Sequence, residues 1–529
     1  MARKDSTIKN SVTGIVKYIT KLIIQFVIRT IVIYKLGVEY VGLDSLYANI
    51  ISMLSLAELG IGSAIVFSMY KPAAENDIEK LKSLNNLYKK MYLVIALIVL
   101  CVGLIIMPFI KHLINGEPNV SVNLYVIYIV FLANTVITYL GAHKRSLLFV
   151  YQRNDIENNI YTIMYFIMAI VQTIVLLVFK SYYLYVIAIP IFSLLETIFI
   201  VYITNKLYPE INGKAPPLDK ATKKEILKNT IGASCHQIGY VIVLSTDNLL
   251  ISIFFGLNTL GVISNYILIY NAIHTLIMLI NSALQASVGN LIATTNRENV
   301  FKYYHTLNWI FACIDGFCCV CLMCLYQHFM SIWVGTSGLV SIWVVLAIVV
   351  RFYFTKMRTL TILFKTCAGL MWNDKISPIL ESVLNICISI ICIKFMGIAG
   401  IFVGTVISTI LVPMWVEPYV LFKNYFKKSL KIYFGKYIFY TLITLIAGAI
   451  SFGICALLPS TGIGFFILKG IICLVVICSV YLLCYFKTKE FKHAYSLFVS
   501  LIKGFKNRKK TIPTNSTINI KDDNDILSS

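Results

Sequence analysis

Apolar runs of eighteen or more residues recur along this chain from end to end, and they limit its fold more than any other feature. A helix of that length matches the hydrocarbon thickness of a bilayer. Backbone groups in hydrocarbon must satisfy one another, so these runs read as helices. They fall at roughly 11–36, 43–70, 88–110, 122–142, 158–179, 183–204, 229–255, 260–290, 303–325, 338–360, 377–396, 399–422, 435–457 and 463–486, about fourteen spans. Only 13% of the 529 residues are charged and 58% are apolar. A soluble domain carries about 25% charged residues, so a water-soluble core cannot hide this much apolar surface. The stretch Met1–Asn10 is polar and basic, and no small-residue cleavage site follows it. The first run is therefore expected to be a retained span.

The net charge of +22 sits in short segments between spans. Alternate segments are basic: Arg3, Lys4 and Lys9; Lys71 to Lys90; Lys144, Arg145 and Arg153; Lys206 to Lys228; Arg297 and Lys302; Arg351 to Lys375; Lys423 to Lys436; and the tail. The intervening segments hold little more than Lys111, Lys180, Lys394 and Lys469. This alternation predicts a multi-pass protein of the cytoplasmic membrane with both termini in the cytoplasm. It argues against nucleic acid as a partner and makes membrane lipids one, through anionic headgroups.

A shift of 219 residues aligns the two halves without a gap. It puts Gly37 on Gly256, Gly42 on Gly261, Tyr47 on Tyr266, Ser63 on Ser282, Ser68 on Ser287, and Asn154-Asp155 on Asn373-Asp374. These matches are mostly polar or glycine, so they are not the trivial likeness of two greasy segments. An all-α polytopic membrane protein with two parallel-related six-helix lobes plus two C-terminal helices is expected. Parallel repeats of this kind place a transport site between the halves. The expected boundaries are 1–210 for the first lobe, 211–228 for a cytoplasmic linker and 229–425 for the second lobe. Residues 426–487 form two further spans, and 488–529 a cytoplasmic tail.

The first span carries Lys17, Lys21, Gln25 and Arg29 at intervals of four. A helix turns 100° per residue, so they form one stripe. A charge at the centre of a membrane helix costs about 2.5–3.5 kcal/mol on insertion scales. Lys21 and Arg29 are therefore expected to face a water-filled cavity, with Lys17 either there or snorkelling to the inner surface. Under the same shift Lys17 falls on His236, Lys21 on Tyr240 and Arg29 on Asn248, with Asp247 beside it. Arg351, on the tenth span with Lys356 and Arg358, joins Lys17, Lys21, Arg29 and His236 as a candidate substrate-binding cation. Lys144 and Arg145 are expected at the inner membrane rim. Of the intramembrane acids Glu58, Glu196, Asp247, Asp315 and Glu381, Asp247 is the candidate for ion coupling because it lies on a lead helix. The 14 cysteines lie mostly inside apolar runs. The CxxC of Cys321 and Cys324, with Cys313, Cys318 and Cys319 nearby, reads as apolar filler, since no histidine cluster accompanies it. Neither a metal nor a cofactor is expected. No GxxxxGK, HExxH or GxSxG sequence occurs, and no loop is large enough for a soluble catalytic domain.

Residues 36–92, LGVEYVGLDSLYANIISMLSLAELGIGSAIVFSMYKPAAENDIEKLKSLNNLYKKMY, closely resemble Wzx-type polysaccharide flippases, and STDNLLISIFFGLNTLGVISNY at 245–266 is similar to them too. The resemblance runs to about residue 490. These flippases belong to the multidrug/oligosaccharidyl-lipid/polysaccharide exporter superfamily. The resemblance implies two six-helix lobes in a V, often with two extra helices, and a cationic lumen. It implies an undecaprenyl-diphosphate-linked oligosaccharide as substrate, moved from the inner to the outer leaflet of a bacterial membrane. Partners would be the polymerase and glycosyltransferases of the same pathway. A lipid II-type flippase and a multidrug exporter of the superfamily are the alternatives. A drug exporter would want acids on the lead helices. A membrane glycosyltransferase or polymerase would need a sizeable loop bearing acids.

Overall fold

A computed structural model describes residues 3–58, 60–213, 215–218, 220–496 and 499, with side chains from residue 9 onward except Ala57 and most of 220–240. The helices in chain order are α1 (Arg3–Lys35), α2 (Val38–Leu54), α3 (Ile61–Glu75), α4 (Ile78–Ile106), α5 (Leu124–Leu140) and α6 (Ala142–Val150). Next come α7 (Asn154–Ile174), α8 (Tyr182–Leu207), α9 (Lys220–Thr294), α10 (Arg297–Val334), α11 (Ile342–Lys356) and α12 (Thr359–Cys367). Then follow α13 (Ser377–Met396), α14 (Ile398–Leu411), α15 (Pro413–Leu421), α16 (Leu430–Ala456) and α17 (Ile463–Tyr485). No strand occurs among the described residues. Short polar side chains cap the helix starts: Asp77, Asn123, Ser181, Asn296, Ser341 and Ser429 each accept a hydrogen bond from a first-turn backbone N–H.

Every apolar run of the sequence lies on a helix or a broken helix pair. Among the described residues, 9 helices are long and apolar enough to cross a membrane, or 10 with the α5–α6 pair, bent by 45°, taken as one. The other runs differ for visible reasons. Helix α1 carries the cationic stripe. The second run breaks into α2 and α3 at Ser55–Gly60, and the tenth into α11 and α12 near Arg358. Helix α9 holds two runs, because its 58-residue apolar part is interrupted at Gly256. The exposed surface of these helices is apolar, including Ile23, Val27, Leu97, Leu445 and Leu474. That is the inside-out pattern of a lipid-embedded protein.

The repeat is visible in the backbone. Gly37 turns the chain from α1 to α2 at φ 116° and ψ 163°. Its counterpart Gly256 breaks α9 at φ 77° and ψ 179°. Both conformations favour glycine. Helix α2 packs against α9 through a reciprocal contact. A Cβ on Gly42 would stand 2.1 Å from the carbonyl oxygen of Leu257, and one on Gly261 the same 2.1 Å from that of Val38. Val38 and Leu257 are themselves repeat partners, so the contact is two-fold symmetric. Tyr47 and Tyr266 are both fully buried, and each hydroxyl bonds backbone at the start of the next broken pair: Leu124 O at 2.7 Å and Val340 N at 3.3 Å. Asn115 closes the same end, its N–H on Ser252 O at 3.0 Å and its amide on Phe254 O at 2.7 Å.

Candidate functional site

Between α1 and α2 on one side and the two arms of α9 on the other lies a cavity of about 440 Å³. Lys21, Gln25 and Arg29 line it, together with Tyr18, Ser45 and Asn49 from the first half. The second half contributes Asn248, Ser264, Asn271 and Thr275. Four-residue spacing keeps Lys21 and Arg29 on one face, about 12 Å apart along the axis. Asn248, the repeat partner of Arg29, lines the same space.

The cations here are held differently from others in the protein. The Arg29 guanidinium donates to the backbone carbonyl of Ser264 at 2.7 Å, spanning the two halves. Lys21 forms no ion pair among the described residues. The charge of Asp44 acts on Arg29, but the Asp44 carboxylate accepts hydrogen bonds from Tyr182 at 2.6 Å and Tyr185 at 3.3 Å. Asp44 does not figure among the sequence candidates, because it stands at the edge of the second apolar run, where an acid reads as a loop residue. Tyr18, whose hydroxyl donates to Ala272 O at 2.7 Å, ties α1 to α9 further along the cavity.

The other sequence candidates lie elsewhere. Lys17 turns away from the cavity, pairing with Glu157 at 3.5 Å and resting 4.4 Å from the Tyr161 ring centroid on α7. Arg351 is buried and pairs with Asp247 at 2.9 Å, and Thr405 donates to the same carboxylate at 3.2 Å. Arg351 therefore faces a second cavity, of about 360 Å³, lined by α9, α11, α12, α13, α14 and α15. Asp247, the ion-coupling candidate, is engaged by that guanidinium. The side chain of His236 lies outside the described residues.

The second cavity holds several closed charge pairs. Arg358 donates in a fork to Glu417 at 2.9 and 2.8 Å and to Glu381 at 3.3 Å. Lys365 pairs with Asp374, and Lys356 contacts His274. Asn271 lines both cavities, so the two are neighbours. In the first half, Arg145 pairs with Glu196 at 3.0 Å.

The chain belongs to the polysaccharide biosynthesis protein family, whose profile matches residues 7–289. No curated protein sequence matches it significantly. Among solved structures, the fold is similar to the lipid II flippase MurJ in an inward closed conformation. That match has 16% identity and a TM-score of 0.62, covering 90% of this chain and 99% of that one. It is also similar to an inward-facing multidrug-resistance MATE-family transporter of the MOP superfamily, at 15% identity and a TM-score of 0.59. Here 78% of this chain and 98% of that one are covered. A MOP-superfamily transporter from Pyrococcus furiosus, described by the reversed polarity of its binding pocket, matches at 14% identity and a TM-score of 0.55, over 80% and 97%. The protein is thus a multi-pass membrane protein of the polysaccharide biosynthesis protein family, with a fold similar to those of MurJ and the MATE transporters; these structural neighbours are transporters and flippases rather than enzymes.

Proposed function

We propose that this protein is a flippase that moves a diphosphate-linked lipid oligosaccharide, of the undecaprenyl type, from the inner to the outer leaflet of the bacterial cytoplasmic membrane. The reading rests on one observation. Lys21 and Arg29 line a cavity between the two repeat units without a carboxylate in ion-pair contact among the described residues. Cations this deep in a membrane protein, with no carboxylate in contact, are costly unless an anion visits them. A diphosphate offers several strong acceptor oxygens, and charge-assisted hydrogen bonds gain strength away from bulk water. A cavity of about 440 Å³ accommodates a diphosphate with part of a sugar, not a long polyprenyl tail. The tail stays in the bilayer while the polar head passes.

The charge alternation orients the molecule with both termini in the cytoplasm. The Gly37 end is then extracytoplasmic, and it is closed by the reciprocal Gly42 and Gly261 contacts. Alternating access follows from rocking one repeat unit against the other about the central cavity. A lipid II-type substrate shares the diphosphate and differs in its sugar, and the fold match to MurJ favours keeping it as the second reading.

The test is translocation of lipid-linked sugar in vesicles, together with polymer export in cells. Arg29→Glu and Lys21→Glu, at wild-type expression, are expected to abolish both. Arg29→Lys keeps the charge, loses the fork and has a milder defect. Wild-type export by the two glutamate variants sinks the proposal. Sugar preference among vesicles loaded with different lipid-linked donors separates the two readings.

A further inference from the structure

The pair α16–α17 is joined to the second repeat unit along α10, and three thiols converge on that seam. They are Cys324 of α10, Cys455 of α16 and Cys473 of α17, with all three sulfurs within 4.8 Å of one another. The Cys455 and Cys473 sulfurs are 4.0 Å apart, and both residues are buried. Cys321, one turn before Cys324, also interacts with Cys473. The sequence shows only the CxxC; its partners are on the last two helices, more than 100 residues away.

The spacing has a chemical meaning. Sulfurs bound at about 2.3 Å to one zinc ion stand roughly 3.8–4.0 Å from each other. The Cys455–Cys473 separation already meets that, and the third sulfur reaches it by a shift of under ~1 Å. Charge points the same way. Lys469 is buried one turn before Cys473, its carbonyl accepts from the Cys455 thiol at 3.9 Å, and its ammonium charge acts on Cys455. Three thiolates around a divalent cation carry one net negative charge, which a buried ammonium cancels. A monovalent soft cation leaves the cluster negative in hydrocarbon, where net charge is costly.

We propose that Cys324, Cys455 and Cys473 form a structural site for a thiophilic divalent cation, zinc being the ordinary occupant. The ion pins α16 and α17 to α10. On binding, each coordinating thiol releases its proton to solvent, and no redox step is involved.

The full-length protein, purified in detergent without chelator and equilibrated with buffered zinc, should retain about one zinc per chain by elemental analysis. C324S, C455S and C473S should each lose it, while C101S, an exposed cysteine on α4, keeps it. Cobalt in place of zinc should give thiolate-to-metal absorption in the near ultraviolet that C473S lacks. If the serine variants fail to fold, the wild type still decides: zinc should protect Cys324, Cys455 and Cys473 from alkylation and raise the melting midpoint. Wild-type metal content at the background of a zinc-free control, or a Cys455–Cys473 disulfide found by peptide mass analysis, overturns the site.

Discussion

The two halves share a glycine break and a reciprocal packing contact, and they differ in how they keep their charges. In the second unit most buried cations are closed against acids: Arg351 on Asp247, Arg358 on Glu417 and Glu381, Lys365 on Asp374, with Lys356, set against His274, the exception. In the first unit Lys17 and Arg145 are paired in the same way, but Lys21 and Arg29 are not. One helix therefore carries two kinds of cation within four residues, one serving the packing of α7 and the other facing the space between the units. The duplicated scaffold supplies positions, and local pairing decides whether a cation is structural or free to meet a ligand. Counting intramembrane charges cannot distinguish the two, but tracing each to its partner can.

The largest effect should come from breaking a closed pair. Arg358→Ala leaves Glu381 and Glu417 as uncompensated charges in a buried site. Removing one partner of such a pair costs about 3–5 kcal/mol. The variant should lose its monodisperse peak in gel filtration after mild heating. Lys21→Ala, which breaks no pair, should melt like the wild type. Replacing the whole cluster at once, as Arg358→Met with Glu417→Leu and Glu381→Gln, should recover much of the loss. If Lys21→Ala is as damaging as Arg358→Ala, the contrast between free and closed cations is wrong.

A second effect tests the shared backbone against this asymmetry of charge. Gly42→Ala and Gly261→Ala each drive a Cβ into a carbonyl that belongs to a helix and cannot swing away. Overpacking of this kind costs about 1–3 kcal/mol. The two variants should lower the melting midpoint by similar amounts, because each contact is the image of the other. Together they should cost less than the sum, since the first already separates α2 from α9. Unequal losses would show that the symmetry stops short of the packing.

Much of this is legible in the sequence. The glycine matches at a shift of 219 residues marked the two halves as related, and Gly37 and Gly256 among them are breaks at positive φ, which glycine adopts without strain. The placing of Lys21, Gln25 and Arg29 on one cavity follows from helical periodicity and the cost of charge in lipid. The closed pairs were not legible. Arg351 and Asp247 lie 104 residues apart on different helices, and periodicity relates only neighbours on one helix. Arg351 on its own looks as available as Arg29. The split between Lys17 and Lys21 was hidden for the same reason, since Glu157 approaches from α7. The thiol cluster needed three helices to be assembled before its sulfurs could be seen together.

The smallest effect concerns Lys17, and it bears most directly on the comparison. Its ammonium is 3.5 Å from Glu157, with side chains 26% and 25% exposed. A partly solvated pair like this is worth about 0–1 kcal/mol. Lys17→Gln should therefore leave folding nearly unchanged, and Glu157→Gln likewise. Export should also persist, because Lys17 points at Glu157 and Tyr161 rather than into the cavity. Lys21→Gln, four residues along the same stripe, removes one of two cavity cations and should slow export while sparing the fold. Rates of polymer export at matched expression separate the two neighbours. If Lys17→Gln slows export as much as Lys21→Gln, the Lys17–Glu157 pair must open during transport. The stripe would then act as one continuous cationic track, and pairing in a single conformation would not mark which cations the substrate meets.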